Sequence, residues 1–277
     1  MDTQKEKNEL CRTKGFDTPT VFAKFTRLSA ITNSVNLGHG FPDWQPPKFF
    51  LESFKNHLNV GNYQYSNARG LPKLSQSIAD TYSKVYNRKI NPNTEVLVTN
   101  GAVSPLYSIF TAYLNEGDEA ITLEPFYDCY LPPVKFQRAK LIGLPLIPPS
   151  NKRPRKEYED ISKWKDGDSD DWTVDFELLK KSLNEKTKLL VLNTPNNPTG
   201  KILSYDELRK IAKIMEEFPK VIIVLDEVYE FNLLGNKYEE LPRFSNLPGM
   251  WDRSVTIHSA GKIFTITGVR IGWATAA

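Results

Sequence analysis

Lys262 stands in VTIHSAGKIFTITGVRIGW, residues 255–273, directly after an apolar, β-rich run. Ser259, Ala260 and Gly261 before it let another group approach the backbone closely, and glycine tolerates such approach. Hydroxyls follow at Thr265 and Thr267, and Arg270 lies eight positions on. One amine, several hydroxyls and a permanent cation suit an aldehyde that carries a phosphate. The lysine condenses with the aldehyde as a Schiff base, and the arginine holds the dianion. Most lysines are solvated surface residues, so this stretch takes its meaning from the rest of the chain.

Several strands end in segments that could meet such a lysine. After a Thr-Pro start at Thr18, Val21, Phe22, Phe25, Leu28 and Ile31 follow helical spacing. LGHGFPDWQPP (37–47) cannot continue a helix, and Gly38 and Gly40 expose backbone N–H groups that can hold an anion. A helix is expected over 49–58, and NYQYSNARGLPKL (62–74) reads as a loop entering a helix that extends to about Tyr86. NTEVLVTN (93–100) predicts a strand. Gly101, Ala102, Val103 and Ser104 then turn into a helix reaching Leu114, an arrangement that aims free N–H groups and the positive helix end at one point. No Gly-Lys-Ser/Thr ends it, so it is not a Walker loop.

DEAITL (118–123) predicts the next strand and delivers EPFYDCY (124–130); a further strand follows at 141–146. The polar stretch to Asp171 reads as a surface excursion, and its basic cluster NKRPRK (151–156) as a solvated loop. A helix is expected over 174–183. KLLVL (188–192) is a strand running into NTPNNPTGKIL, where Pro195, Pro198 and Gly200 fix a rigid turn and Asn193, Asn196 and Asn197 crowd the strand end. Ser204 and Glu207 stand at capping-box spacing before a helix that continues to about Glu217. VIIVL (221–225) reads as a buried parallel strand ending at Asp226, Glu227, Val228 and Tyr229. A carboxylate there is costly unless paired with a cation. Residues 251–257 form the strand that delivers Lys262.

Alternating strands and helices predict an α/β fold with a mostly parallel sheet flanked by helices, and a ligand crevice beyond the carboxyl ends of the strands. The segments at 101–104, 124–130, 193–200, 226–229 and 259–262 all follow strands and converge on one sheet edge.

The 277 residues allow one large domain, or one domain plus part of a second. Charge is nearly balanced, 36 basic against 33 acidic residues, which argues against a nucleic-acid partner. Two cysteines, Cys11 and Cys129, make no disulfide framework and point to a reducing compartment. The N-terminus lacks the apolar stretch of a signal peptide and is too acidic for a typical mitochondrial transit peptide, and no run is long enough to span a bilayer. The expectation is a soluble protein, cytoplasmic with a mitochondrial location left open, without a metal site.

The ordered motifs LGHGFPDWQPP, NYQYSNARGLPKL, VTNGAVSPL, GDEAITLEPFYDCY, NTPNNPTGKI, DEVYE and SAGKIFTITGVRIGW carry a resemblance to the fold-type I pyridoxal-phosphate aminotransferases. Within these the chain most resembles the kynurenine/glutamine transaminase and cysteine-conjugate β-lyase group, from about Thr18 to its last residue. The resemblance implies an aspartate aminotransferase-like large domain over 49–277, preceded by an arm and small-domain segment over 1–48. It makes Lys262 the Schiff-base lysine, Asp226 the partner of the cofactor's pyridine nitrogen, and Tyr229 and Asn197 the donors to its phenolic oxygen. Gly101 and Ala102 offer N–H groups to the phosphate, aided by Ser259 and Arg270. Tyr127 stacks on the ring, and Tyr65 reaches the phosphate of a neighbouring subunit in a homodimer with shared sites.

The implied reaction passes an amino group from an amino acid such as kynurenine or glutamine to a 2-oxo acid, with β-elimination from cysteine S-conjugates as a side path. Gly40 and Asn197 would hold the substrate carboxylate. Val103 and Phe22 replace an aromatic and a tryptophan found in relatives, which bears on side-chain preference rather than cofactor binding. The family continues past IGWATA into a C-terminal small domain that supplies a carboxylate-gripping arginine. On that ground the sequence leaves a second reading, a non-catalytic cofactor-binding or dimer-partner protein.

Overall fold

The computed structural model describes residues 19–40, 42–58, 63–148, 172–233 and 238–277. The expected N-terminal polar arm (1–15) and most of the polar excursion up to Asp171, with its basic cluster at 151–156, lie outside them. Two compact units divide the chain, Met1–Glu52 and Ser53–Ala277.

In the first unit, helix α1 (Val21–Thr32) begins where Thr20 accepts from the Ala23 N–H at 3.2 Å. Its apolar stripe is present as the spacing predicts, yet Val21, Phe25, Leu28 and Ile31 are all exposed. Helix α2 (Lys48–Leu58) runs across the boundary between the units.

The second unit is built on a seven-stranded sheet: β1 (Val96–Thr99), β2 (Glu119–Glu124), β3 (Lys140–Pro145), β4 (Thr187–Asn193), β5 (Ile222–Asp226), β6 (Ser254–Ser259) and β7 (Gly272–Ala276). Their order is β1-β7-β6-β5-β4-β2-β3. The run β6-β5-β4-β2-β3 is parallel, while β7 pairs antiparallel with both β6 and β1. Two antiparallel steps restore direction, so β1 runs with β6, and Gly272 pairs with both Thr99 and Ser259. That register brings the turn after β1 to the edge where β4, β5 and β6 end.

Helices α3 (Pro72–Val85), α4 (Val103–Tyr113), α5 (Leu131–Phe136), α6 (Phe176–Ser182), α7 (Tyr205–Met215) and the single turn α8 (Ala260–Ile263) complete the unit. Alternation along the central strands splits the core in two. Leu190, Leu192, Ile223 and Leu225 pack with Leu179 of α6 and with Leu208, Ile211 and Met215 of α7. Leu189, Val191, Val224 and Ile257 pack with Leu106 and Phe110 of α4 and Val134 of α5. Both faces are covered, which explains why β4 and β5 read as unbroken apolar runs.

Three local expectations change. The strand expected from 251 starts at Ser254, because Trp251–Arg253 forms a 3-10 turn. There Arg253 donates to the carbonyls of Met215, Phe218 and Val221 and closes the end of α7. The helix expected from 174 starts at Phe176, capped by Asp175 accepting from the Leu178 N–H at 2.9 Å. Strand β7 was not foreseen: GWATA alternates too briefly to register as a strand. The capping box of Ser204 and Glu207 forms in full. Ser204→Ala is therefore expected to cost about 1 kcal/mol and to lower the melting temperature by ~2–4 °C, read by thermal denaturation.

Candidate active site

Strands β4, β5 and β6 end side by side, with Asn193 opposite Asp226 and Asp226 opposite Ile257. Asp226 is 3 % exposed. Two residues beyond Val224, it lies on the face covered by α4 and α5, and there the Tyr130 hydroxyl donates to its Oδ2 at 2.6 Å. Its other oxygen, Oδ1, is buried without a hydrogen-bond partner. Burial pushes the Asp226 carboxyl above its usual range, against the Tyr130 and Val228 hydrogen bonds and the His258 and Lys262 charges. A buried carboxylate oxygen with no partner is able to accept from a cationic donor that the chain itself does not supply.

Lys262 sits on α8 immediately after β6. It is half-buried, with Nζ 5.4 Å from the centre of the Tyr229 ring. Burial lowers its pKa, Asp226 opposes that, and Arg270 adds to it. An amine that sheds its proton more readily is the better nucleophile and base. Gly261 lets this turn pack closely, since a Cβ would stand 3.0 Å from Thr267 Cα.

Asn197 Nδ2 donates to the Tyr229 hydroxyl at 3.3 Å. Asn193 ties this pair to the strand end: its Nδ2 donates to the Asp226 carbonyl at 2.8 Å, and its Oδ1 accepts from the Asn197 N–H at 2.6 Å. The crowding of asparagines noted in the sequence is thus a brace between two loops. Tyr127 is half-buried and meets Tyr130 edge-on at 5.9 Å.

At the end of β1, Gly101 adopts φ +72° and a Cβ there would lie 2.8 Å from Arg270 Cζ. Its N–H donates to the Thr99 carbonyl at 2.9 Å. The glycine thus leaves room for the Arg270 guanidinium beside the turn. Arg270 itself has φ +60° and Thr265 φ +56°, sparsely populated for non-glycine residues and typical of a constrained functional loop. Ser259 ends β6 beside Gly272. Tyr65 is fully exposed, and Gly40 belongs to the first unit, where it is exposed with open space around its Cα.

Sequence reasoning missed what lies behind this edge. Glu227 and Glu230 flank the turn that carries Tyr229, and Arg243 pairs with both, reaching Glu230 at 2.7 Å. His258 Nδ1 and the Tyr82 hydroxyl also contact Glu230 Oε1, at 2.7 and 2.5 Å. The donor atoms of Glu227, Glu230 and His258 lie within 4.8 Å of one another, a spacing that could suit a metal, but the guanidinium of Arg243 already pairs with both carboxylates. No spacing rule in the sequence links Arg243 to residues 227 and 230.

The model of the family described as aminotransferase class I and II matches residues 32–277. Human kynurenine--oxoglutarate transaminase 3 is 39% identical over 264 residues, 95% of this chain and 55% of the relative. The Dictyostelium discoideum kynurenine--oxoglutarate transaminase is 37% identical over 257 residues, 92% of this chain and 57% of the relative. Among solved structures, Bna3p from Saccharomyces cerevisiae matches with a TM-score of 0.84 and 33% identity, over 94% of this chain and 60% of that one. N-succinyldiaminopimelate aminotransferase from Mycobacterium tuberculosis matches with a TM-score of 0.82 and 32% identity, over 97% and 64%. The chain thus spans little more than half the length of the curated relatives it matches. Together with the mixed sheet and the cluster of Lys262, Asp226, Tyr229 and Asn197 at its edge, these matches establish that the chain belongs to the class I and II aminotransferase family.

Proposed function

We propose that this chain forms the pyridoxal-phosphate-binding part of an aminotransferase that moves an amino group from kynurenine, glutamine or a related amino acid to a 2-oxo acid. Residues 49–277 form the cofactor-binding large domain, and residues 1–48 an arm and small-domain segment. The observation that carries this reading is the buried, unpartnered Asp226 Oδ1 on the same strand-end edge as the half-buried amine of Lys262.

The residues present fit the cofactor. Asp226 Oδ1 suits a protonated pyridine nitrogen, and Tyr229 with Asn197 suits the phenolic oxygen. The Ala102 N–H, Ser259 and Arg270, with Gly101 leaving clearance, suit the phosphate, and Tyr127 suits a ring face. Once bound, pyridoxal phosphate supplies an aldehyde that condenses with amines and a ring that withdraws electrons from the substrate Cα.

Lys262 would be the amine that pairs with the cofactor's aldehyde, and its Nζ, once free, the base that would take the substrate Cα proton. Asp226 would hold a protonated ring nitrogen through a charge-assisted hydrogen bond. Asn197 would orient the substrate carboxylate. With a leaving group at Cβ, proton removal by Lys262 opens an elimination path from cysteine S-conjugates. The exposed Tyr65 is free to reach the phosphate of a second subunit in a homodimer. Relatives whose printed names specify kynurenine and oxoglutarate support that substrate pair. Among the described residues, no helix is long and apolar enough to cross a membrane.

Reconstitution tests this. The purified chain mixed with pyridoxal phosphate is expected to gain a visible absorption band. Kynurenine or glutamine should then release about one equivalent of 2-oxo acid per chain. Cofactor uptake without oxo-acid release would favour the non-catalytic reading, and no uptake would reject both.

A further inference from the structure

Asp226 has two carboxylate oxygens in different surroundings: Oδ2 accepts from the Tyr130 hydroxyl, and Oδ1 is buried without a hydrogen-bond partner. Tyr130 is fully buried in the core between α4 and the sheet. Its ring contacts Phe110 at 6.4 Å, Phe126 at 6.3 Å and Tyr127 at 5.9 Å. Held on three sides, the phenol cannot rotate away, and its hydroxyl meets Asp226 Oδ2 at 2.6 Å from 96 residues away in the chain. Burial and the adjacent Asp226 charge push the Tyr130 pKa up, so the hydroxyl keeps its proton and acts as a donor. A carboxylate anchored through one oxygen has a fixed plane, and its other oxygen is thereby aimed.

We infer that Tyr130 is a positioning residue: by donating to Asp226 Oδ2 it fixes the carboxylate plane, points Oδ1 at the pyridine nitrogen of the cofactor, and keeps Asp226 anionic in a buried setting. The inference rests on the cofactor reading above. A plain core role would need only the ring. The hydroxyl is what distinguishes the two, because it is the atom that meets the carboxylate.

The test compares the unaltered chain with Tyr130→Phe, each reconstituted with pyridoxal phosphate. The readouts are cofactor dissociation, the pH midpoint of the visible band, and thermal stability. Loss of a hydrogen bond to a charged group should weaken cofactor retention about tenfold and move the midpoint to higher pH by about one unit. The direction follows because a ring nitrogen less firmly protonated withdraws less charge from the nitrogen on Lys262.

In an Asp226→Ala background the same Tyr130 change should leave the midpoint where it is. A second variant, 3-fluorotyrosine at position 130, keeps the ring and strengthens the donor, so its midpoint should move to lower pH; it decides the matter if Tyr130→Phe does not fold. A lowered melting temperature with an unmoved midpoint, or an equal shift without Asp226, would overturn the inference while leaving the cofactor reading intact. Failure of the unaltered chain to take up the cofactor would overturn both.

Discussion

Lys262→Ala is expected to abolish the visible band formed with pyridoxal phosphate and the borohydride-trapped adduct on the peptide containing residue 262. Turnover should fall by at least ~10²–10⁴ with this change, the usual contribution of a positioned acid or base. The neighbourhood of the amine explains why this lysine is singled out. Burial disfavours its ammonium form, so it offers free amine at pH values where exposed lysines do not. Trapping performed across a pH series should show Lys262 labelled at lower pH than the exposed lysines, which join as pH rises.

The same burial has a thermodynamic side. A lysine whose pKa falls on folding binds its proton less tightly in the folded chain, so it opposes folding below the ordinary lysine pKa, and the penalty fades as pH rises. Lys262→Met should therefore raise the melting temperature of the cofactor-free chain at neutral pH while removing its chemistry. A melting temperature unchanged or lowered at neutral pH would count against a burial penalty at this lysine.

Arg243→Met is expected to be the most damaging change to stability, costing about 3–5 kcal/mol. Arg243, Glu227, Glu230 and His258 are all almost inaccessible, and removing the guanidinium leaves two buried carboxylates without their cation. Chemical denaturation would measure the loss. Replacing Arg243, Glu227 and Glu230 together by apolar residues of similar volume should recover much of it, because the penalty comes from the uncompensated charges.

Acid unfolding gives a second reading of the same cluster. Burial alone would raise the Glu230 carboxyl, but the charge and hydrogen bond of His258, the Arg243 guanidinium and the Tyr82 hydroxyl outweigh it and hold it down to about 2, against an ordinary 4.5. A depressed carboxyl stabilises the fold above its unfolded value and loses that contribution as pH falls through its folded one. Glu230 should therefore support folding fully above about pH 4.5 and fade toward pH 2. Arg243→Met should move this window upward, since it removes one of the groups that hold the carboxyl down.

These two residues also mark how much was legible before any coordinates. Lys262 stood out from its small neighbours, and Asp226 from its place after an apolar run, because a strand end is a local pattern: a few residues of one period followed by a break. For the same reason the asparagines at 193 and 197 and the turn at 101–102 could be assigned to strand ends, and the ordered motifs tied them to one family. Some details were beyond that reasoning. The Gly101 N–H donates to the Thr99 carbonyl, a contact that no spacing in the sequence gave, and the apolar stripe of α1 lies exposed although its spacing predicts an amphipathic helix.

The sequence by itself determined the alternation of strands and helices, and hence a mostly parallel sheet with its chemistry at the carboxyl ends, since hydrophobic period and turn residues act over a few positions. Tertiary structure alone decided the rest. The antiparallel β7 between β1 and β6 sets the turn after β1 beside Arg270. The 96-residue gap from Tyr130 to Asp226 closes only when α5 packs on the sheet. The Arg243 cluster forms because two buried carboxylates, brought together by the turn after β5, take the Arg243 guanidinium and the His258 ring as partners. Each depends on which surfaces meet, a choice made by the summed packing of the whole core and carried by no single stretch of chain.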